Sequence, residues 1–176
     1  MIHFRRATIN DAPELARILL ETNAATFRGL VPDKCLASPT PEESVTNWRR
    51  TLSADGLGDG QFLIVCEREQ HGLVGYVLAG GKTDMEAYER ELNVLMVDTS
   101  WQRQGIGRKL VARAAAKLQG QGTKSMLVGI QVDNPNRAFY ERLGARPVGR
   151  RPLVWAGYET EEILYGWEDI EVLAGA

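Results

Sequence analysis

The sequence has few residues of the kinds that build metal sites and disulfide frameworks. Its 176 residues include two cysteines and two histidines. Cys35 and Cys66 lie far apart and form no CxxC pair, and neither His3 nor His71 has the spacing of a metal ligand. We therefore expect no bound metal and no disulfide, and we expect both cysteines to be small buried residues in a reducing cytoplasm.

The sequence also lacks long apolar segments and a large excess of charge. No apolar run approaches the roughly 18 residues of a membrane span, and the first residues lack the apolar core of a signal peptide. A net charge of -2 excludes a surface that is basic throughout, as in many nucleic-acid-binding proteins. We predict a cytoplasmic protein without membrane or nucleic-acid partners, built as a single domain over residues 1–176.

Hydrophobic periodicity predicts both strands and helices. Strands are expected at 2–7, 62–66, 73–79, 91–97, 125–132 and 163–167. A first helix is expected after Asn10 or Asp11 as its cap, with Glu14 completing a capping box with Asp11, and further helices are expected at 42–52, 106–119 and 134–143, the last opened by Asn134 and Pro135. Because a hairpin links the early strands and helices separate the later ones, we predict a mixed α+β fold around one central sheet.

One short segment carries most of the functional information. A predicted strand ending at Val97 is followed by a turn containing Gly105 and Gly107, and a helix is predicted from Ile106. Glycines let the backbone bend sharply and remove side chains from the surface of the turn. The first amides of a helix have no partner inside it, and together with the helix dipole they attract phosphate. The segment therefore predicts a phosphate-binding site.

Basic residues crowd the start of that helix, namely Arg103, Arg108, Lys109 and Arg113. Cations at a helix N-terminus are unfavourable by up to about 1 kcal/mol each, and a bound polyanion would reverse that sign. A solvated basic surface is the simpler alternative. The sequence contains no Walker loop, and a dinucleotide fingerprint would need a glycine where Leu110 stands. The pattern favours a small anionic ligand.

The segment Gln102-x-x-Gly105-x-Gly107 resembles the acetyl-CoA signature of the GNAT superfamily of N-acetyltransferases. The resemblance implies a mostly antiparallel, twisted sheet of about six to seven strands flanked by about four helices. It also implies acetyl-CoA as co-substrate. The backbone that pairs with the pantetheine arm would then be that of Leu95, Met96 and Val97, and the phosphate contacts would come from Gln102, Arg103, Gln104, Gly105, Ile106, Gly107 and Arg108.

A second segment supports the resemblance. The run 139–144, Phe-Tyr-Glu-Arg-Leu-Gly, is similar to the family's Phe-Tyr-Glu-x-Leu-Gly helix, whose tyrosine protonates or hydrogen-bonds the CoA sulfur. This implies Tyr140 as general acid; a tyrosine packed beneath the sheet is the alternative. The family's CoA-contacting asparagine usually lies seven residues before this tyrosine. Here Asp133 occupies that place, and Asn134, six residues before Tyr140, is assigned to CoA instead.

Acetyl transfer to an amine also needs a base. A lysine-like ammonium of pKa about 10.4 must lose a proton at pH 7, which costs roughly 4–5 kcal/mol. Glu86, Glu89 and Glu91 precede the signature, and Glu91 stands where some family members carry a catalytic glutamate. We take Glu91 as the candidate base, acting directly or through a water. The alternative is a solvated residue at the start of a strand.

We therefore predict an acetyl-CoA-dependent N-acetyltransferase in which the amine attacks the thioester directly, because no cysteine has the setting of a nucleophile. A non-catalytic acyl-CoA sensor and a nucleotide-binding protein are the alternatives. We expect a small-molecule amine rather than a protein as acceptor, because segments 26–41 and 55–60 are placed to cover a pocket. The apolar final strand is compatible with a homodimer.

Overall fold

The computed structural model describes residues 1–174, so the last two residues of the predicted domain lie outside the described part. Seven strands form one sheet within these residues: β1 (Ile2–Arg6), β2 (Phe62–Arg68), β3 (Gly72–Gly81), β4 (Arg90–Val97), β5 (Met126–Gln131), β6 (Arg146–Trp155) and β7 (Tyr158–Trp167). Five α-helices accompany them: α1 (Ala12–Phe27), α2 (Asp33–Leu36), α3 (Pro41–Thr51), α4 (Ile106–Gly120) and α5 (Ala138–Arg142). The predicted mixed α+β fold is confirmed.

The sheet opens at its centre. Its strands follow the order β1-β2-β3-β4-β5-β7-β6, and neighbours are antiparallel except for β4 and β5. The parallel pair is short, since Arg90 pairs with Met126 and Glu91 with Leu127, and no later residue of β4 pairs with β5 in residues 1–174. A cleft therefore begins beyond Glu91 and widens toward the end of β4.

Helices cover both faces of the sheet. Leu110, Ala114 and Leu118 of α4 recur at a four-residue spacing and pack on one face. On the opposite face, Leu15 of α1 and Trp48 of α3 pack against side chains of β2 and β3. The two layers hold β4 in the middle of the molecule, so that the cleft beside it is lined by protein on both faces.

The last part of the sheet differs from the prediction. The final strand begins at Tyr158 rather than at residue 163, and it forms a hairpin with β6, a ten-residue strand that the sequence pattern did not reveal. Pro147 and Pro152 hide β6, because proline is unfavourable inside a sheet. It is tolerated here because β6 is the edge strand and uses only one of its sides for pairing.

One predicted helix start is right and one is wrong. Asp11 stands at the N-cap of α1, but its carboxylate makes no cap hydrogen bond, because it accepts from Arg5 and from the Thr8 amide instead. The helix predicted from Asn134 begins only at Ala138: Asn134 Oδ1 accepts the Asn136 amide as a cap would, but residues 135–137 form turns closed by three-residue hydrogen bonds such as Phe139 amide to Asn136 carbonyl. Among residues 1–174, no helix combines the length and the hydropathy needed to cross a membrane.

Candidate active site

The glycine turn joins β4 to α4 and leaves helix amides open. Arg103 and Gly105 both have left-handed backbone angles, with φ of 62° and 80°. The Lys109 amide donates to the Gly105 carbonyl at 3.1 Å, which makes this the first hydrogen bond inside the helix. The amides of Ile106 and Gly107 precede it and have no partner within the helix. They present donors and the positive end of the helix dipole to an anion.

Hydrogen bonds within the β4–α4 connection, and one from Arg17 of α1, hold the turn in place. The Asp98 carboxylate accepts the Ser100 amide at 3.0 Å and Arg17 Nη1 at 2.9 Å, which ties the turn to α1. Gln102 Nε2 donates to the Val97 carbonyl at 3.0 Å. The Gln102 side chain therefore bonds to the chain's own backbone, and its contact with CoA stays a prediction.

Gly107 lets α5 approach the turn. A methyl group at this position would lie 3.3 Å from Cζ of Phe139, closer than most side-chain contacts allow. Phe139 and Tyr140 are neighbours on α5, with ring centroids 5.0 Å apart. The close contact at Gly107 therefore brings Tyr140 near the glycine turn.

A cavity of about 510 Å³ follows the cleft from the turn to Tyr140. Most of the predicted site residues line it: Leu95, Met96, Val97, Gln102, Arg103, Gly105, Ile106, Gly107, Arg108, Asn134 and Tyr140. The sequence reasoning missed the wall that α1 contributes through Thr22, Asn23, Thr26 and Phe27. Polar residues at 22, 23 and 26 share one helical face, and this interruption of the apolar pattern is the signal that marks them.

Tyr140 is buried, and its hydroxyl is available to donate a hydrogen bond. Its side chain lines the cavity, and within residues 1–174 its hydroxyl has no hydrogen-bond partner. Burial raises the pKa of Tyr140 above its ordinary value. The phenol therefore stays protonated at neutral pH and presents one O–H donor to a group in the cavity.

Three predicted site residues make polar contacts within the protein, and two of them, Gln104 and Glu91, do not line the cavity. Gln104 does not line the cavity, and its Nε2 lies 3.5 Å from the Ser100 carbonyl. Asn134 lines the cavity while its Oδ1 accepts the Asn136 amide at 2.9 Å, which leaves its amide nitrogen as the available donor. Glu91 lies outside the lining, at the last position where β4 pairs with β5, and its Oε1 accepts Arg151 Nη2 at 2.7 Å.

Known proteins resemble this chain along nearly its whole length. An N-acetyltransferase of Bacillus subtilis (strain 168), named "Uncharacterized N-acetyltransferase YuaI", is 27% identical over 174 residues, covering 98% of this chain and 96% of its own. The crystal structure of PaiA N-acetyltransferase from Thermoplasma acidophilum in complex with coenzyme A superposes with a TM-score of 0.71 at 15% identity, covering 94% of this chain and 98% of that one.

An acetyltransferase of the GNAT family from Streptococcus pneumoniae superposes with a TM-score of 0.65 at 19% identity, covering 95% of this chain and 98% of that one. At these identities the two solved structures establish a shared fold. Residues 24–145, more than half of the sequence, match the sequence profile of the "Acetyltransferase (GNAT) family". The chain therefore belongs to the GNAT acetyltransferase family and is an acetyltransferase.

Proposed function

We propose that the protein moves an acetyl group from acetyl-CoA to the primary amine of a small molecule. The observation that carries this proposal is that the turn with its open amides and Tyr140 line one and the same cavity. A CoA-like ligand needs a donor-rich end for its diphosphate and a proton donor where its thiol leaves. The cavity offers both.

The middle of the cavity suits an extended ligand that carries amides. Residues 95–97 of β4 pair with β3 on one side, but β5 has separated from them on the other. Main-chain groups that face the cleft therefore lack a strand partner within the described part of the chain. The Val97 carbonyl accepts a hydrogen bond from the side chain of Gln102 instead. Residues 95–97 are half-buried, and the amides of a pantetheine arm would supply hydrogen bonds to their open main-chain groups.

The reaction needs one bond to form and one to break. The neutral amine nitrogen attacks the thioester carbon, and the carbon–sulfur bond then breaks. Glu91 lies outside the cavity lining, so a water that it holds carries to it the proton that the amine loses. Tyr140 is the general acid for the departing thiolate. Its raised pKa makes Tyr140 a weaker acid than a thiol, so it stabilises the departing thiolate by donating a hydrogen bond, and proton transfer to sulfur is completed as the phenol takes up a proton from solvent in exchange.

The proposed acceptor is a small molecule because the α1–α2 connection covers this side of the sheet. Phe27 packs edge-to-face against Trp155 of β6, with ring centroids 5.2 Å apart. Cys35 Sγ lies 3.3 Å from the Trp155 carbonyl, which fastens α2 to the same hairpin. A pocket covered by this segment suits a compact amine better than a protein tail. Segment 55–60 does not line the cavity. It packs instead beside the start of β4, where the Asp59 carbonyl accepts a hydrogen bond from Arg90 Nη1.

The test is a thiol-release assay with acetyl-CoA against amines, amino acids, polyamines and aminoglycosides, using wild type and Tyr140→Phe. General acid catalysis contributes about 10²–10⁴-fold, so we expect kcat to fall within that range while CoA affinity stays unchanged. Tyr165→Phe is the matched control, because it also removes one hydroxyl, but one that bonds to Glu141 at 3.1 Å and does not line the cavity. Thiol release with none of the amines, despite CoA binding, would contradict the proposal.

A further inference from the structure

A second cavity, of about 300 Å³, lies between α4 and the β1 edge of the sheet. β1 is the outermost strand on this side and pairs only with β2. Each of the three elements contributes to the lining, through Phe4 and Arg6 of β1, Phe62 and Ile64 of β2, and Arg113 and Lys117 of α4. This cavity and the one that Tyr140 lines have no lining residue in common, so they are separate sites.

Aromatic rings at the bottom of the cavity hold two cations in place. Phe62 is buried, and Phe4 and Ile64 are half-buried. Arg113 Cζ lies 4.1 Å from the centroid of the Phe4 ring, and Lys117 Nζ lies 5.1 Å from that of Phe62. Attraction between a cation and the face of a ring favours both placements. The cavity therefore has an apolar floor, with two positive charges already ordered above it.

The lining carries four cations and no carboxylate. Arg5, which also lines the cavity, is paired, since its Nη2 donates to Asp11 Oδ1 at 2.7 Å and its Nε to Glu67 Oε1 at 2.9 Å. The other three cations, at positions 6, 113 and 117, form no ion pair with any carboxylate of residues 1–174. The chain thus supplies no counter-charge at this rim, although its acidic residues outnumber its basic ones by 23 to 21.

The unpaired cations stand close to one another. Arg113 and Lys117 are four residues apart on α4, a spacing at which like charges destabilise a helix. Lys109 continues the same row one turn earlier. Burial raises the pKa of the Cys66 thiol on β2 to about 11, and the positive charges of Lys109 and Arg113 act against that rise. The row therefore makes this side of the sheet electropositive, and a bound anion would relieve the repulsion within it.

We propose that this cavity is a second binding site, which takes a small organic molecule that carries a phosphate monoester on an apolar body. A phosphate monoester has nearly two negative charges at neutral pH and three acceptor oxygens, which match the guanidinium groups of Arg6 and Arg113 and the ammonium of Lys117. The apolar body rests on the floor formed by Phe4, Phe62 and Ile64. A volume of about 300 Å³ is at the lower end for ligand pockets, so the cavity admits a compact molecule.

Phenyl phosphate is the probe that tests the proposal. It is titrated into the isotope-labelled protein at saturating CoA, which blocks the glycine turn, and two-dimensional proton–nitrogen NMR spectra record which amides respond. We expect saturable shifts confined to residues 4–6, 62–64 and 113–117. Inorganic phosphate has the charge without the apolar body, and benzyl alcohol has the body without the charge. Each should bind about tenfold more weakly than phenyl phosphate.

Two arginine variants identify the cation that binds the probe. Arg113→Gln removes the guanidinium above Phe4 and should raise the Kd of phenyl phosphate about fivefold. Arg49→Gln is the matched control, because Arg49 is also an exposed arginine of a helix, does not line the cavity and forms no ion pair in residues 1–174. It changes the net charge equally and should leave the Kd as in wild type. Lys117→Gln replaces Arg113→Gln if thermal melting shows that the latter does not fold.

The results separate this site from the acetyltransferase site. Shifts at the lining residues that weaken in Arg113→Gln but not in Arg49→Gln support the proposal. Shifts elsewhere, no shifts at millimolar probe, or equal weakening in both variants overturn it. Inorganic phosphate that binds as tightly as phenyl phosphate also overturns it, because the apolar floor then contributes nothing. Failure of CoA to bind contradicts the proposed function instead, and the map of shifted amides still decides whether this cavity is occupied.

Discussion

Replacement of Gly105 by alanine tests whether the shape of the turn binds the cofactor. Gly105 has a φ of 80°, and a methyl group built on it meets no atom within 4 Å. The substitution therefore causes no collision, and its cost is the backbone preference alone. An L-residue in the left-handed region is less stable by about 1–2 kcal/mol. If the turn relaxes to avoid this strain, the amides of Ile106 and Gly107 no longer point at the ligand.

Gly122 offers a matched control at the other end of α4. It has a φ of 86°, and a methyl group there also meets nothing within 4 Å. Gly122→Ala should thus lose about 1–2 kcal/mol of stability, which lowers Tm by roughly 2–8 °C in a protein of this size, and Gly105→Ala should lose less, because its turn relaxes. Only Gly105→Ala should lose CoA affinity, by a factor of about 5–30 if the whole strain energy opposes binding.

Isothermal titration with CoA and thermal melting on the same samples separate the two effects. Gly105→Ala should show the weaker Kd and a smaller fall in Tm, whereas Gly122→Ala should show the full fall in Tm alone. Wild-type CoA affinity in a Gly105→Ala protein whose Tm falls less than that of Gly122→Ala would refute the assignment of the phosphates to this turn, because the turn would then have relaxed without effect on binding. Equal losses of affinity in both variants would refute it as well, because binding would then follow global stability.

Two further predictions concern stability and the acceptor side. The Arg5 guanidinium lowers the pKa of Asp11 below its ordinary 3.8, so this pair contributes stability above about pH 4 that is lost as the pH falls through the lowered pKa. Between pH 7 and pH 3, Asp11→Asn should therefore lose less unfolding free energy in urea than wild type, and an equal loss would contradict this. Trp155→Leu removes the ring that packs on Phe27. It should raise the KM for the amine severalfold while the Kd of CoA is unchanged, and an effect on CoA alone would place the acceptor elsewhere.

The parts of the site that depend on local sequence were predictable. The turn at Gly105 and the helix from Ile106 follow from glycine and apolar periodicity within one short segment, and the structure forms both. The prediction for α5 failed at its start, since residues 135–137 form turns rather than α-helix, although Asn134 Oδ1 accepts the Asn136 amide as a cap would. Whether such turns continue as α-helix depends on packing that residue preferences do not specify.

The parts that depend on distant segments were not predictable. Arg151 reaches Glu91 across 60 positions of sequence, and it does so from a strand that two prolines concealed. Nothing in the local pattern distinguishes Arg151 from Arg150, although one is shielded and the other is exposed. Alternation in a correctly recognised β6 would have separated them, because neighbouring residues of a strand point to opposite faces.

In the proposed binding mode, the parting of β4 and β5 makes ligand affinity depend on contacts within the protein as well as on contacts with the ligand. Residues 95–97 are half-buried and have no partner on the β5 side in residues 1–174, so a ligand that pairs with this edge of β4 replaces water there. Any contact that keeps the strands apart stabilises the binding form. The packing of Phe139 against Gly107 is such a contact, since it wedges α5 against the turn at the wide end of the cleft. At the narrow end, Arg151 of β6 pairs with Glu91 of β4 and Glu162 of β7, and so joins these three strands at the position where the cleft begins.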